Sequence, residues 1–216
     1  EIIAFKSSDA FDYVAGEAGE AYPGGLVDKF TRHILFAKPD IIIIFDDLAT
    51  PEPQTFEWWL HSPEKMKIND QNDIEVKTGD VHCSVNMLFP KGLELTQTDQ
   101  FDPPPRKRIQ LTQWHMTAKV NDPSKTMRFI TVLHPYQEGK RSLDEADYAI
   151  NENACAVSVK TKDGRITALW RIGSGEVSGM GFTTDGDAAA IRVDEKGKPV
   201  EKMVYNGKEI KFRRSR

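Results

Sequence analysis

Val81-His82-Cys83-Ser84-Val85-Asn86-Met87-Leu88-Phe89 decides the fold class. Apolar and polar residues alternate along it almost without a break. Successive side chains of a strand point to opposite faces, so this stretch predicts a half-buried antiparallel strand.

Working outward, the same signal recurs. Residues 28–37 and 40–46 predict a strand pair divided at Lys38-Pro39-Asp40, where proline removes a ladder donor and suits a turn. Residues 55–62 predict another strand. Residues 109–120 and 127–133 predict two more, separated by Asn121-Asp122-Pro123-Ser124. In the C-terminal third, Asp163-Gly164 is expected to join strands 154–160 and 165–172. Asn206-Gly207 is expected to join 200–205 and 208–212. Both dipeptides suit the positive φ of mirror-image hairpin turns. Helix signals are few: one turn within residues 16–22, and a capping pattern at Ser142-Leu143-Asp144-Glu145. Asp102-Pro103-Pro104-Pro105 reads as a loop, because strands resume at once. The prediction is an all-β chain of antiparallel stacked sheets, a β-sandwich type with little helix. Residues 1–140 are expected to form a larger sandwich, and residues 141–216 a smaller antiparallel sheet packed on it.

Composition agrees. The chain has 216 residues, 39% of them hydrophobic, enough to bury a core. Charged residues reach 29% but are mixed in sign, leaving a net charge of -4. Arg106-Lys107-Arg108 is a short cluster and not a basic stripe, so no nucleic-acid partner is expected. Ile41–Phe45, the most apolar run, is far shorter than the roughly 20 residues a spanning helix needs, so no membrane partner is expected either. The chain opens on Glu1-Ile2-Ile3-Ala4-Phe5 without a starting Met, and is expected to be part of a longer protein. Cys83 and Cys155 lie in alternating runs. They read as buried thiols, with a disulfide left open.

Motif chemistry is sparse. His33, His61, His82, His115 and His134 form no HxH, HxxxH or HExxH pattern. Asp46 and Asp47 read as turn caps at a strand end. The glycine-rich 173–181 lacks the Lys and following helix of a phosphate loop, so it reads as turns and bulges. No Gly-x-Ser-x-Gly elbow is present, and neither cysteine sits in a His-paired nucleophile signature. Trp58 and Trp59 are adjacent, so a strand turns them to opposite faces. By parity Glu57, Trp59 and His61 share the second face, where a flat ring can stack on a sugar. The alternative is a sheet covered on both faces. Trp114-His115 is a second such pair, whose imidazole suits acid–base work or a structural role. The candidate substrate contacts are therefore Trp59, His61, Trp114 and His115.

Several segments together resemble one family. Phe11-Asp12-Tyr13-Val14-Ala15-Gly16-Glu17-Ala18-Gly19-Glu20-Ala21-Tyr22 is similar to a stretch of the heparinase II/III-like polysaccharide lyases. So are Phe30–Asp40 running into Ile44–Leu48, Trp58–Ser62, Asp99–Pro104, Gln113–His115 and Phe129–Tyr136. The resemblance covers residues 11–136 in order. It implies an N-terminal α/α toroid domain in the same chain, followed by an antiparallel β-sandwich. It further implies cleavage of an acidic, uronate-containing polysaccharide by β-elimination, in the periplasm or outside the cell. That chemistry needs the uronate carboxylate neutralised, a Tyr or His to remove the adjacent proton, and a Tyr or His to protonate the leaving oxygen. In the family these groups, and a structural zinc held by His and Asp, lie mostly upstream. None of the five histidines matches a catalytic or zinc position, so no catalytic residue, metal ligand or cofactor is assigned here. The chain is expected to support substrate and to be inactive alone. A non-catalytic carbohydrate-binding module or an architectural β domain is the alternative.

Overall fold

The computed structural model describes residues 1–69, 73–101, 113–140 and 143–212. Strand takes 66% of the described residues and helix 3%, which makes the class all-β, with several antiparallel sheets. The first half contains β1 (Ile2–Ser7), β2 (Phe11–Glu17), β3 (Lys29–Ala37), β4 (Ile41–Gln54), β5 (Glu57–Ser62), β6 (Lys67–Ile68), β7 (Asp73–Thr78), β8 (Val81–Phe89) and β9 (Glu94–Thr98). Next come β10 (Trp114–Lys119), β11 (Ser124–Gln137), β12 (Leu143–Ile150), β13 (Ala154–Thr161) and β14 (Gly164–Arg171). The chain ends with β15 (Val177–Gly179), β16 (Phe182–Thr184), β17 (Ala188–Val193), β18 (Pro199–Tyr205) and β19 (Ile210–Phe212). An eight-stranded sheet runs β1-β2-β3-β4-β11-β8-β7-β6. Two compact units divide the chain. The first holds residues 1–3, 15–33 and 44–140. The second holds residues 4–14, 34–43 and those beyond 140.

The first unit is a sandwich. Its part of the large sheet faces the three-stranded sheet β5-β10-β9. Between them lie Trp58 and Met116 from the small sheet and Ile74, Val85, Met87 and Phe129 from the large one, all at most 5% exposed. Burying each such side chain contributes roughly 1.5–3 kcal/mol. Alternation in β8 seats Val85 and Met87 in this core. The opposite face of β8 is covered as well, so it is not the half-buried strand expected. His82 and Ser84 are buried there. Tyr136, opposite His82 on β11, stacks on its ring at 5.3 Å, and Asn86 Nδ2 donates to Ser84 Oγ at 3.0 Å. Ring stacking across to β11 and a side-chain hydrogen bond along β8 line this covered face.

The second unit holds the five-stranded sheet β12-β13-β14-β17-β18 and the three-stranded sheet β15-β16-β19. Ala154, Ala156, Leu169 and Ile191 pack with Val177, Phe182 and Ile210 between the two. Ala154–Val159 are all buried, as expected of a strand covered on both faces. The parts of β1–β4 in this unit help cover the second face. Tyr13 meets Tyr205 at 5.4 Å, and the Arg192 guanidinium lies 5.6 Å over Phe11.

Several turn expectations change. β13 and β14 do pair, but Lys162 and Asp163 keep negative φ and Gly164 takes φ 134. A Cβ at Gly164 would collide with the Val193 carbonyl on β17, so close strand approach selects glycine there. The mirror-image turn occurs instead at Met180-Gly181 (φ 50 and 83), joining β15 to β16. Asn206-Gly207 is a corner, not a hairpin. β18 pairs with β17, whereas β19 pairs with β16 in the other sheet. Asp185 Oδ1 holds the corner by accepting from the Lys208 and Glu209 N–H groups at 2.9 Å. From Leu143 onward the expected capping pattern is strand β12, because its pairing with β13 outweighs local helix preference. A short helical turn does form at Gly19–Ala21. Asp102–Pro105, Arg106–Arg108, residues 109–112 and Ser142 lie outside the described residues. Cys83 and Cys155 are both free thiols.

Candidate functional site

β10 is the centre of the small sheet. His115 lies opposite His61 on β5 and Thr98 on β9, and Thr117 lies opposite Trp59 and Thr96. Parity sends Trp58, Met116 and Ala118 into the sandwich and leaves Glu57, Trp59 and His61 on the outer face. Trp59 is 50% exposed, while Trp58 beside it is 5% exposed. Glu57 Oε2 accepts from the Trp59 indole N–H at 3.1 Å and fixes the ring on the sheet.

The outer face carries a cluster of rings. The His115 imidazole stacks on Trp59 at 5.5 Å with an interplanar angle of 19°. Phe101 meets the same imidazole at 4.9 Å and His61 meets it at 5.9 Å. These rings bury His115 to 8% exposure although it points away from the sandwich core. Its Nδ1 is buried without a hydrogen-bond partner. The Gln113 amide lies 3.1 Å from His61 Nδ1. With the amide donating, the His61 proton sits on Nε2. The result is a half-exposed flat indole flanked by two imidazoles, a surface that can stack on a pyranose and hydrogen-bond its hydroxyls. Structure thus brings Trp59, His61 and His115 together. Trp114 is placed on the opposite face of β10, partly buried against the sandwich core, with Lys65 Nζ 5.1 Å from its ring.

Asp46 and Asp47 are not turn caps. β4 continues through them to Gln54, and they are 1% and 7% exposed. Asp46 takes a two-point contact from Arg32 Nε and Nη2, at 2.6 and 2.8 Å. Desolvation raises the Asp46 carboxyl, and the guanidinium opposes this. Asp47 pairs with Lys29 at 2.5 Å and Arg128 at 2.9 Å. Two carboxylates can stay inside a strand because cations on adjacent strands neutralise them. Arg32 and Asp46 stand equally far from Pro39 on its two sides, so a hairpin centred on that residue predicts their meeting. That mirror relation was the available signal. Phe101 had none, since only the tertiary course of the chain lays it on His115. Glu17 organises the segment before β3. Its Oε1 accepts from the Gly19 and Phe30 N–H groups at 2.8 and 2.9 Å, and Oε2 accepts from Thr31 Oγ1 at 2.5 Å. Burial pushes this carboxyl up, but the hydrogen bonds outweigh it and hold it below its ordinary range.

A second ring group lies on β8 and β11. His82 Nδ1 is 2.7 Å from Glu75 Oε1, and Tyr136 stacks between His82 and His134 at 5.3 and 5.2 Å. The hydrogen bond to His82 is the main reason the Glu75 carboxyl titrates low. The zinc implied by the resemblance finds no fitting site among the described residues, because no three His, Cys, Asp or Glu side chains converge. Among the described residues no helix is long and apolar enough to cross a membrane.

Neither a protein-family model nor a curated protein matches the sequence. Solved structures do match. A heparinase III gene product is similar over 79% of this chain and 27% of its own, with 13% identity and a TM-score of 0.63. The heparan sulfate lyase HepC from Pedobacter heparinus matches over 81% of this chain and 28% of its own, with 12% identity and a TM-score of 0.60. A structure of heparinase III matches over 79% and 27%, with 14% identity and a TM-score of 0.59. The chain therefore matches little more than a quarter of the length of these solved proteins, and over about four fifths of its own length it has the β fold of the matched part of heparinase III.

Proposed function

We propose that this chain is the β-sandwich portion of a polysaccharide lyase that cleaves uronate-containing glycans by β-elimination. The fold shared with heparinase III and a heparan sulfate lyase over about 80% of the chain carries the reading. In this proposal the upstream part of the same protein, an α/α toroid domain and the start of the sandwich, supplies the proton-transfer groups and any zinc. The present chain contributes the outer face of β5 and β10, where Trp59 stacks on a sugar ring and His61 and His115 border it. The protein works in the periplasm or outside the cell, where such glycans are met. β-Elimination proceeds once the uronate carboxylate is neutralised, so the proton beside it can be removed and the leaving oxygen protonated. No group of this chain is assigned to either proton transfer. The half-exposed Trp59 favours a second reading, a sugar-binding module without lyase activity.

The test follows absorbance of the unsaturated uronate product on heparan sulfate, chondroitin and alginate. It compares the chain alone with the chain joined to that whole upstream part, toroid and early sandwich included. Product from the joined protein and none from the chain alone is the expected result. Product from the chain alone places the catalytic groups here, and His61 and His115 become the first to substitute. Silence from both refutes the lyase reading. Binding without turnover, lost in Trp59→Ala, then selects the sugar-binding module.

A further inference from the structure

Beside the aromatic face, still within the first unit, lies a cleft of about 480 Å³. Tyr22, Phe30, Phe56 and Trp59 give it flat or apolar walls, and Arg32 sits among them. Trp59 therefore belongs both to this cleft and to the ring cluster with His115. The Arg32 side chain is 40% exposed, whereas its partner Asp46 is 1% exposed. Asp46 occupies the guanidinium edge formed by Nε and Nη2. A planar guanidinium has five N–H donors in a fixed fork, so Nη1 and the outer N–H of Nη2 point away from Asp46. Phe30 lies 5.7 Å below the guanidinium and supports its plane. Arg32 is thus oriented in advance by a buried carboxylate, and it gives its outer edge to an aromatic-walled cleft. Glu57 is the one carboxylate among the lining residues, and it accepts from the Trp59 indole.

We propose that this cleft is an anion subsite: it takes one acidic sugar unit, with the outer edge of Arg32 receiving the carboxylate or sulfate and Trp59 covering the ring. The inference deepens the proposed function and rests on it for the sugar, while the anion requirement comes from Arg32 alone. Planar, two-point recognition suits an arginine and a carboxylate or sulfate oxygen pair. The fixed geometry lowers the ordering cost of binding.

Calorimetric titration of the 216-residue chain tests it. The probes are an unsulfated tetrasaccharide of glucuronate and N-acetylglucosamine, its methyl ester, and a neutral-sugar tetrasaccharide carrying sulfate. Binding of the free acid with the ester about tenfold weaker identifies a carboxylate site. Stronger binding of the sulfated probe identifies a sulfate site. Either result supports the proposal if Arg32→Lys also weakens binding about tenfold, since lysine keeps the charge beside Asp46 but loses the fork. Should Arg32→Lys fail to fold, Tyr22→Ala takes its place, because that side chain lines the cleft outside the ion pair. Equal binding of acid and ester with no preference for sulfate overturns the proposal. So does binding unchanged in the variant, or no binding of any probe at about 10 mM. Lyase product without binding here defeats the subsite alone. Binding here with no lyase product even from the joined protein defeats the lyase reading and leaves the subsite standing.

Discussion

Acid should act on this protein first through His33. The imidazole stacks on Phe45 at 5.5 Å with an angle of 19°. Burial pushes its pKa down to about 4 from an ordinary 6.5, against the pull of Asp47 and with a small push from Lys29. A histidine depressed in the folded state favours folding fully above its unfolded pKa, where both states are neutral. As pH falls below 6.5 the unfolded chain binds a proton that the folded chain refuses, so stability drops until the folded imidazole also titrates near 4. One pKa unit is about 1.4 kcal/mol, so this group removes about 2 kcal/mol by pH 5 and about 3 kcal/mol by pH 4. His33→Phe keeps a flat ring against Phe45 and removes the titration. Urea midpoints measured from pH 7.5 to pH 4 should therefore fall more steeply for the wild type than for the variant, and the gap should close above about pH 6.5. NMR titration of the His33 ring should place its midpoint near 4. Parallel pH profiles, or a ring that titrates near 6.5, would refute the burial argument.

Three further outcomes are expected. Gly164→Ala should cost about 3 kcal/mol in thermal unfolding, because the φ of 134 and the Val193 carbonyl both oppose a Cβ; a variant melting like wild type would show that β14 and β17 can part freely. Trp59→Ala should change stability by less than about 1 kcal/mol, since the ring is half exposed, yet should abolish sugar-induced quenching of tryptophan fluorescence; persistence of that quenching would move the contact to another face. Cys155 is fully buried and burial raises the Cys83 thiol, so a thiol reagent at pH 8 should react slowly with the folded chain and with both thiols once it is unfolded; rapid reaction of the folded chain would contradict the packing of β8 and β13.

The candidate site shows how far local pattern reaches. Parity alone separated Trp58 from Trp59 and put Glu57 and His61 with the latter, because a pleated strand has only two faces. Parity also separates Trp114 from His115, but it cannot say which of the two points outward. That depended on β10 pairing with both β5 and β9 and on Met116 and Ala118 entering the core. Arg32 looked like an ordinary polar residue of β3. A hairpin about Pro39 could have paired it with Asp46, but only the tertiary structure left its outer guanidinium edge facing a cleft.

Alternating side chains and turn residues were sufficient for the all-β class and for most strand positions, because both depend on neighbours within a few residues. β8 spans Val81–Phe89, as its alternation implies. Pairing partners were another matter. Asn206-Gly207 has the local chemistry of a hairpin, yet β18 joins β17 and β19 joins β16. Val204 and Ile210 reach the same apolar core only if the chain changes sheets at that corner. Which sheet a strand joins, and which charges distant in sequence meet, as Asp47 and Arg128 do, is decided by how long-range apolar packing and ion pairing are satisfied together, and no window of sequence contains that information.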